Sequence, residues 1–166
     1  MKRALLLRVN GREEKIQTED ADTLLEILRE RFKLWSVREG CGVGACGTCT
    51  VLLDGRPVSS CLLLAVRVEG HEIVTVEGLS DGQKLNYIQE AFIEQRALQC
   101  GYCTPGFILT VKALLDEYPD PTDDQVREYL AGNLCRCGGY VDILRAVRVA
   151  QEKKRLTQGH TSQIRK

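Results

Sequence analysis

Eight cysteines fall in two sets of four along this 166-residue chain, and that partition constrains the fold more than any other feature. Cys41, Cys46, Cys49 and Cys61 lie in the first half; Cys100, Cys103, Cys135 and Cys137 lie in the second. The simplest arrangement is two small domains, each gathering one four-thiolate site. Disulfides are disfavoured, because the apolar run Ala4–Leu7 is too short for an export signal and Arg8 interrupts it. A reducing, cytoplasmic setting is therefore expected, where metal binding is the leading reason to keep so many thiols. The chain is long enough to bury a core without covalent staples.

The first half reads as strand with one helix. Ala4–Val9 has β character, and Asn10-Gly11 is a strong hairpin signal leading into Lys15–Thr18. Thr23 and Glu26 form a capping box. The helix it opens carries Leu24, Ile27, Leu28 and Phe32 on one face. Thr50–Leu53, the turn Asp54-Gly55 and Arg56–Ser60 make a second hairpin, and His71–Val76 a further strand. A small sheet with a single helix laid across it is predicted.

The second half changes period, and the fold class is accordingly α+β. Leu85, Ile88, Phe92 and Gln95 begin a helix ending near Leu98. Pro105 suits the first turn of another, running through Ile108, Val111 and Leu115 to a stop at Tyr118-Pro119. Thr122 and Gln125 form a second capping box for a helix to about Leu130, and Val141 to Ala150 makes a fourth. The expected layout is a first domain over 1–78, a compact four-helix domain over 83–152, and a polar tail over 153–166. The connection lies near Glu77–Lys84, where Gly78, Ser80, Asp81 and Gly82 cluster, and the tail reads as a mobile end or a docking strand.

Cys41, Cys46 and Cys49 have the spacing C-x4-C-x2-C, the plant-type pattern of a 2Fe–2S cluster, with Cys61 as the fourth thiolate. One loop must deliver three thiolates round a two-iron core from different directions. Gly40, Gly42, Gly44 and Gly47 give that loop a backbone tight enough to bring amides close to sulfur. Such N–H donors stabilise the reduced cluster. Structural zinc takes paired knuckles and fits this loop poorly. Cys100-Gly101-Tyr102-Cys103 alone is ambiguous between dithiol, zinc knuckle and cluster half-site. Cys135-Arg136-Cys137 supplies a matching pair, which removes the dithiol and leaves zinc against a second cluster.

Taken together, Gly40–Cys49, Gln99–Gly106 and Gly132–Tyr140 resemble the iron–sulfur subunits of the xanthine oxidase (molybdenum hydroxylase) family, including the small subunits of carbon monoxide dehydrogenase type. The likeness spans roughly residues 3 to 150 and takes in every cysteine in order. It implies a β-grasp, ferredoxin-like domain holding one 2Fe–2S cluster through Cys41, Cys46, Cys49 and Cys61. It implies an all-α four-helix domain holding a second through Cys100, Cys103, Cys135 and Cys137, beside the molybdopterin of a large partner subunit. In the same pattern Gln99 hydrogen-bonds the pterin and Cys137 is the ligand nearest it; read without the resemblance, Gln99 is a helix-end residue satisfying local backbone. A medium FAD-binding subunit is an expected further partner. One departure is visible: many relatives carry Thr after the last cysteine, where this chain has Gly138.

The function expected is that of an electron-transfer subunit without a catalytic residue of its own. A free-standing two-cluster ferredoxin and a zinc-stabilised interaction module are the alternatives. Nucleic acid is not an expected partner, since 23 Lys and Arg balance 23 Asp and Glu. No apolar run reaches the ~18 residues of a membrane span. His71 and His160 have no partner suggesting catalysis, Arg136 offsets thiolate charge, pairs with a partner carboxylate or is solvated, and Trp35 is expected to pack rather than relay electrons.

Overall fold

A computed structural model describes the backbone of residues 2–163 and the side chains of residues 2–157. Strands β1 (Lys2–Val9) and β2 (Arg12–Glu19) pair antiparallel across Asn10-Gly11, both at positive φ as a tight hairpin turn requires. Helix α1 (Leu24–Glu30) starts at Thr23 with the capping box in place: Glu26 N–H donates to Thr23 Oγ1, and Thr23 N–H to Glu26 Oε2. Strands β3 (Thr50–Leu53) and β4 (Arg56–Ser59) form the second hairpin, and β5 (Glu72–Val74) lies between the two. The sheet order is β2-β1-β5-β3-β4, with β1 and β5 parallel and the other neighbours antiparallel.

One face of this sheet and α1 enclose the first core, which includes Leu5, Leu7, Leu24, Leu28, Val51 and Ile73. Phe32 packs on that core although α1 has ended, its Arg31 N–H bonded back to the Ile27 carbonyl. The second half holds four helices: α2 (Tyr87–Glu94), α3 (Thr104–Glu117), α4 (Asp123–Leu130) and α5 (Tyr140–Gln163). Every position of α3 from Gly106 to Leu115 except Lys112 is buried, so the helix is enclosed nearly all round and forms the centre of this half. Thr122 caps α4 as the sequence predicts, while α2 stops at Glu94 rather than near Leu98. Arg96 turns the chain there at φ 52°.

Helix α5 runs well past Ala150, where the sequence reading placed its end and a tail beyond. The reason lies in which side chains continue the helical period. Ile143, Val147 and Ala150 bury against the second core, and one turn further on Lys153 reaches Glu90 at 3.2 Å and Glu94 at 2.6 Å on α2. Lys154 pairs with Asp116 at 3.3 Å on α3. The apolar stripe gives way to long stems with charged heads that still face the bundle. His160 lies beyond the described side chains.

The two halves pack directly on each other. Strand alternation turns Val51 into the first core and Leu52 to the opposite face, where it meets Leu109 and Ala113 of α3. A second contact joins the cysteine-bearing loops: Leu134 N–H donates to the Cys46 carbonyl at 2.9 Å, and buried Asn133 Nδ2 donates to the Gly47 carbonyl at 3.1 Å. Asn133 is fixed in turn by Thr110, whose hydroxyl donates to its Oδ1 at 2.9 Å. Gly47 sits at φ 65°, and a Cβ there would lie 2.4 Å from the Gly132 carbonyl oxygen.

Two substitutions separate these contacts. Leu52→Ala removes a fully packed side chain between the halves and should cost about 2–4 kcal/mol in thermal unfolding. Gly47→Ala combines a left-handed backbone with a clash against fixed backbone atoms. It should cost about 2–4 kcal/mol, lowering Tm by roughly 5–15 °C.

Candidate metal centres

The first cysteine set is assembled by one loop and one hairpin. Cys41 and Cys46 lie on the loop between α1 and β3, where Gly42, Gly44 and Gly47 all take positive φ. Cys49 and Cys61 flank the open end of the β3–β4 hairpin, whose register pairs Thr50 with Ser59. Ser60 locks that end, its hydroxyl donating to the Cys49 carbonyl at 2.7 Å. The thiols meet in twos: Cys41 with Cys46, and Cys49 with Cys61.

Amides converge on these sulfurs as the glycine-rich loop predicts. Cys41 is held down to about 7, first by the Val43 N–H, then by the Cys46 thiol and the Ala45 N–H, the last at 3.3 Å from Sγ. Cys61 is pushed up to about 11, chiefly by burial and then by the Cys49 thiol, with the Gly44 N–H opposing.

The second set sits where two helices begin. Cys103 caps α3, Cys100 precedes it, and Cys135 and Cys137 lie in the turn before α5. The four cysteines thus lie at the starts of two helices, and the Gly139 N–H ahead of α5 donates to Cys135 Sγ at 3.4 Å. Again they meet in twos, Cys100 with Cys137 and Cys103 with Cys135. The Tyr102 N–H lowers Cys100. Burial works against the Cys135 thiolate, but the Gly139 N–H, the Cys103 thiol and the N–H groups of Cys137 and Gly138 together outweigh it and lower its pKa. Burial, followed by the Cys135 thiol, pushes Cys103 up to about 12. Gln99 lines the same surface recess as Cys100, Cys103, Cys135 and Cys137, and is exposed.

Among the described residues no group of three or more His, Cys, Asp or Glu is placed to hold a single metal ion. Two pairs per set instead match the donor requirement of a two-iron centre, four thiolates shared by two tetrahedral metals. Both sets therefore could hold a 2Fe–2S cluster, with N–H donors already aimed at sulfur.

Several residues carry more of this architecture than the sequence reveals. Asn133 reads as one polar residue in a cysteine turn, yet it joins the two loops. Arg38 and Tyr102 cross the same boundary: Arg38 donates to the Gly101 and Tyr102 carbonyls, and the Tyr102 hydroxyl donates to the Glu39 carbonyl at 2.6 Å. Only the position of Arg38 just ahead of the first loop hinted at such a role. Trp35 departs from the packing expected of it: its ring is 58% exposed and lies between Arg29 and Lys33, at 5.3 and 5.9 Å from its centroid. Arg136 is exposed, with no ion pair among the described residues. His71 pairs with Asp54 at 2.6 Å beside the β3–β4 hairpin turn. Gly138 takes φ 77°, a left-handed conformation that glycine adopts freely and that strains a β-branched residue.

Comparison with known proteins supplies the family. A family model described as a 2Fe–2S iron-sulfur cluster binding domain matches residues 7–76, and one described as a [2Fe-2S] binding domain matches residues 75–148. The nicotinate dehydrogenase small FeS subunit of Eubacterium barkeri is 50% identical, over 89% of this chain and 94% of that protein. The nicotine 6-hydroxylase small subunit of Paenarthrobacter nicotinovorans is 48% identical, over 85% of this chain and 85% of its own. Among solved structures, quinoline 2-oxidoreductase from Pseudomonas putida 86 superposes with a TM-score of 0.88 at 44% identity, covering 93% of this chain and 96% of that one. The aldehyde oxidoreductase of Desulfovibrio desulfuricans gives the same TM-score at 41% identity, but the match, 92% of this chain, is only 17% of that much longer one. With a ferredoxin-like domain followed by a helical domain, each of a 2Fe–2S binding type, the chain belongs to the iron–sulfur small subunits of the molybdenum hydroxylase family.

Proposed function

We propose that Cys41, Cys46, Cys49 and Cys61 ligate one cluster, that Cys100, Cys103, Cys135 and Cys137 ligate the other, and that the second is the one facing the partner's molybdenum centre. The chain's role as an iron–sulfur, electron-transferring subunit follows from its family, and a large molybdenum-binding partner comes with it. When bound, each 2Fe–2S centre exchanges one electron at a time, which divides a two-electron substrate oxidation into single transfers.

The observation that carries the reading is the pairing of thiols, two and two, at both sites, with the loops that bear them joined by the Leu134 N–H to Cys46 carbonyl bond. That bond brings the backbone of Cys46 against the residue next to Cys135, so ligands of the two sites are neighbours across it. Residues on the two loops supply the N–H donors that stabilise negative charge on sulfur. They also exclude water from Cys49, which is 2% exposed.

Orientation in the complex rests on the surface. Cys100 and Cys137 are exposed, and large apolar side chains lie open in the same loops, at Leu98, Tyr102 and Leu134, and at the start of α5, at Tyr140 and Val141. Such a face suits a permanent partner more than bulk water. Gln99 and Cys137 lie there, in position to meet the pterin of the large subunit. The first site then faces away from that partner, toward a FAD-binding subunit or an external acceptor. No helix among the described residues is long and apolar enough to cross a membrane, and the eight thiols favour a cytoplasmic home.

Single substitutions test the ligand assignment. Cys49→Ser and Cys103→Ser should each lower iron from about four to about two per chain and abolish one of two EPR signals in the dithionite-reduced protein, leaving the other. Either variant retaining both signals and full iron would contradict the assignment. Purification of the native complex should yield the large molybdenum subunit with this chain.

A further inference from the structure

We propose that Arg38, although carried by the first domain, is a positioning and charge-setting residue for the second cluster, and that it raises the reduction potential there. The inference rests on the second cysteine set being a 2Fe–2S site.

Arg38 leaves the first loop three residues before Cys41 and crosses the domain boundary. Its Nη1 donates to the carbonyls of Gly101 and Tyr102, the two residues that separate Cys100 from Cys103. Its guanidinium also lies 5.3 Å from the centroid of the Tyr102 ring, whose hydroxyl reaches back to the Glu39 carbonyl. The side chain is thus held within a closed loop of contacts and is half-buried. Among the described residues no carboxylate pairs with it, so its charge is not cancelled locally.

Reduction adds one negative charge to a centre already surrounded by four thiolates. A fixed, uncancelled positive charge beside that loop favours the reduced form more than the oxidised one. Because one nitrogen, Nη1, makes both bonds, lysine would keep the charge and a single nitrogen able to donate, while losing the planar group that stacks on Tyr102; glutamine would keep a donor while losing the charge.

EPR-monitored redox titration of the native complex separates these contributions, with the second-site signal identified as the one missing in Cys103→Ser. Arg38→Gln should lower the ratio of reduced to oxidised second cluster about three- to tenfold at a fixed potential. At 59 mV per tenfold for one electron, that is a fall of about 30–60 mV. The first cluster should move much less, Arg38→Lys should retain most of the wild-type ratio, and Tyr102→Phe, which loosens the contact without touching the charge, should leave it unchanged. The proposal is overturned if Arg38→Gln shifts neither cluster, shifts both equally, or is matched by Arg38→Lys or Tyr102→Phe. Loss of iron from Arg38→Gln, with Arg38→Lys fully loaded, would mark Arg38 as a folding contact and equally overturn it. A wild-type complex lacking a second 2Fe–2S signal would instead refute the reading of the second cysteine set.

Discussion

The architecture depends on a backbone contact only a few atoms wide, where the Cys46–Gly47 segment meets the Asn133–Leu134 segment. The Leu134 N–H to Cys46 carbonyl bond and the Asn133 amide on the Gly47 carbonyl hold two cysteine loops together that are separated by more than half the chain. Such an approach is possible because Gly47 has no side chain: its α-carbon faces the Gly132 carbonyl, and its own carbonyl faces Gly106 at the start of α3. Asn133 is buried yet satisfied on both sides of its amide, which makes its desolvation tolerable. The apolar contact of Leu52 with Leu109 and Ala113 fixes the larger orientation, and the polar contact fixes the register of the loops.

Around that junction each thiol pair is given a different electrostatic setting. Cys41 and Cys100 stand among N–H donors and are shifted toward thiolate, whereas Cys61 and Cys103 are shifted the other way by burial. The first pairing comes from a glycine loop against a hairpin, the second from two helix N-termini. Two unrelated pieces of local structure thus reach the same donor chemistry, four thiols in two pairs. The second set also lies nearer the surface, with Cys100 and Cys137 exposed beside an apolar rim, as a subunit that exchanges electrons across an interface requires.

Most of this was legible because the signals are local. Capping boxes at Thr23 and Thr122, the Asn10-Gly11 turn and the C-x4-C-x2-C spacing each involve residues a few positions apart, and each appears where the sequence places it. What escaped is non-local or polar. The end of α5 was hidden because Lys153 and Lys154 continue its buried face with charges, where a reading of apolar period stops at Ala150. Asn133, Arg38 and Tyr102 owe their roles to partners some 63 to 86 residues away, and no local pattern announces such pairs. Trp35 packs against two cations rather than into a core, and an aromatic ring beside a cysteine loop does not announce such neighbours.

The central claim is that this one chain carries two 2Fe–2S centres, one in each half. Iron and acid-labile sulfide analysis of the native protein, with EPR after dithionite reduction, tests it most directly. The account predicts about four irons and four sulfides per chain and two distinct reduced 2Fe–2S signals. Zinc in place of iron, with no signal on reduction, would contradict it and leave a metal-stabilised interaction module.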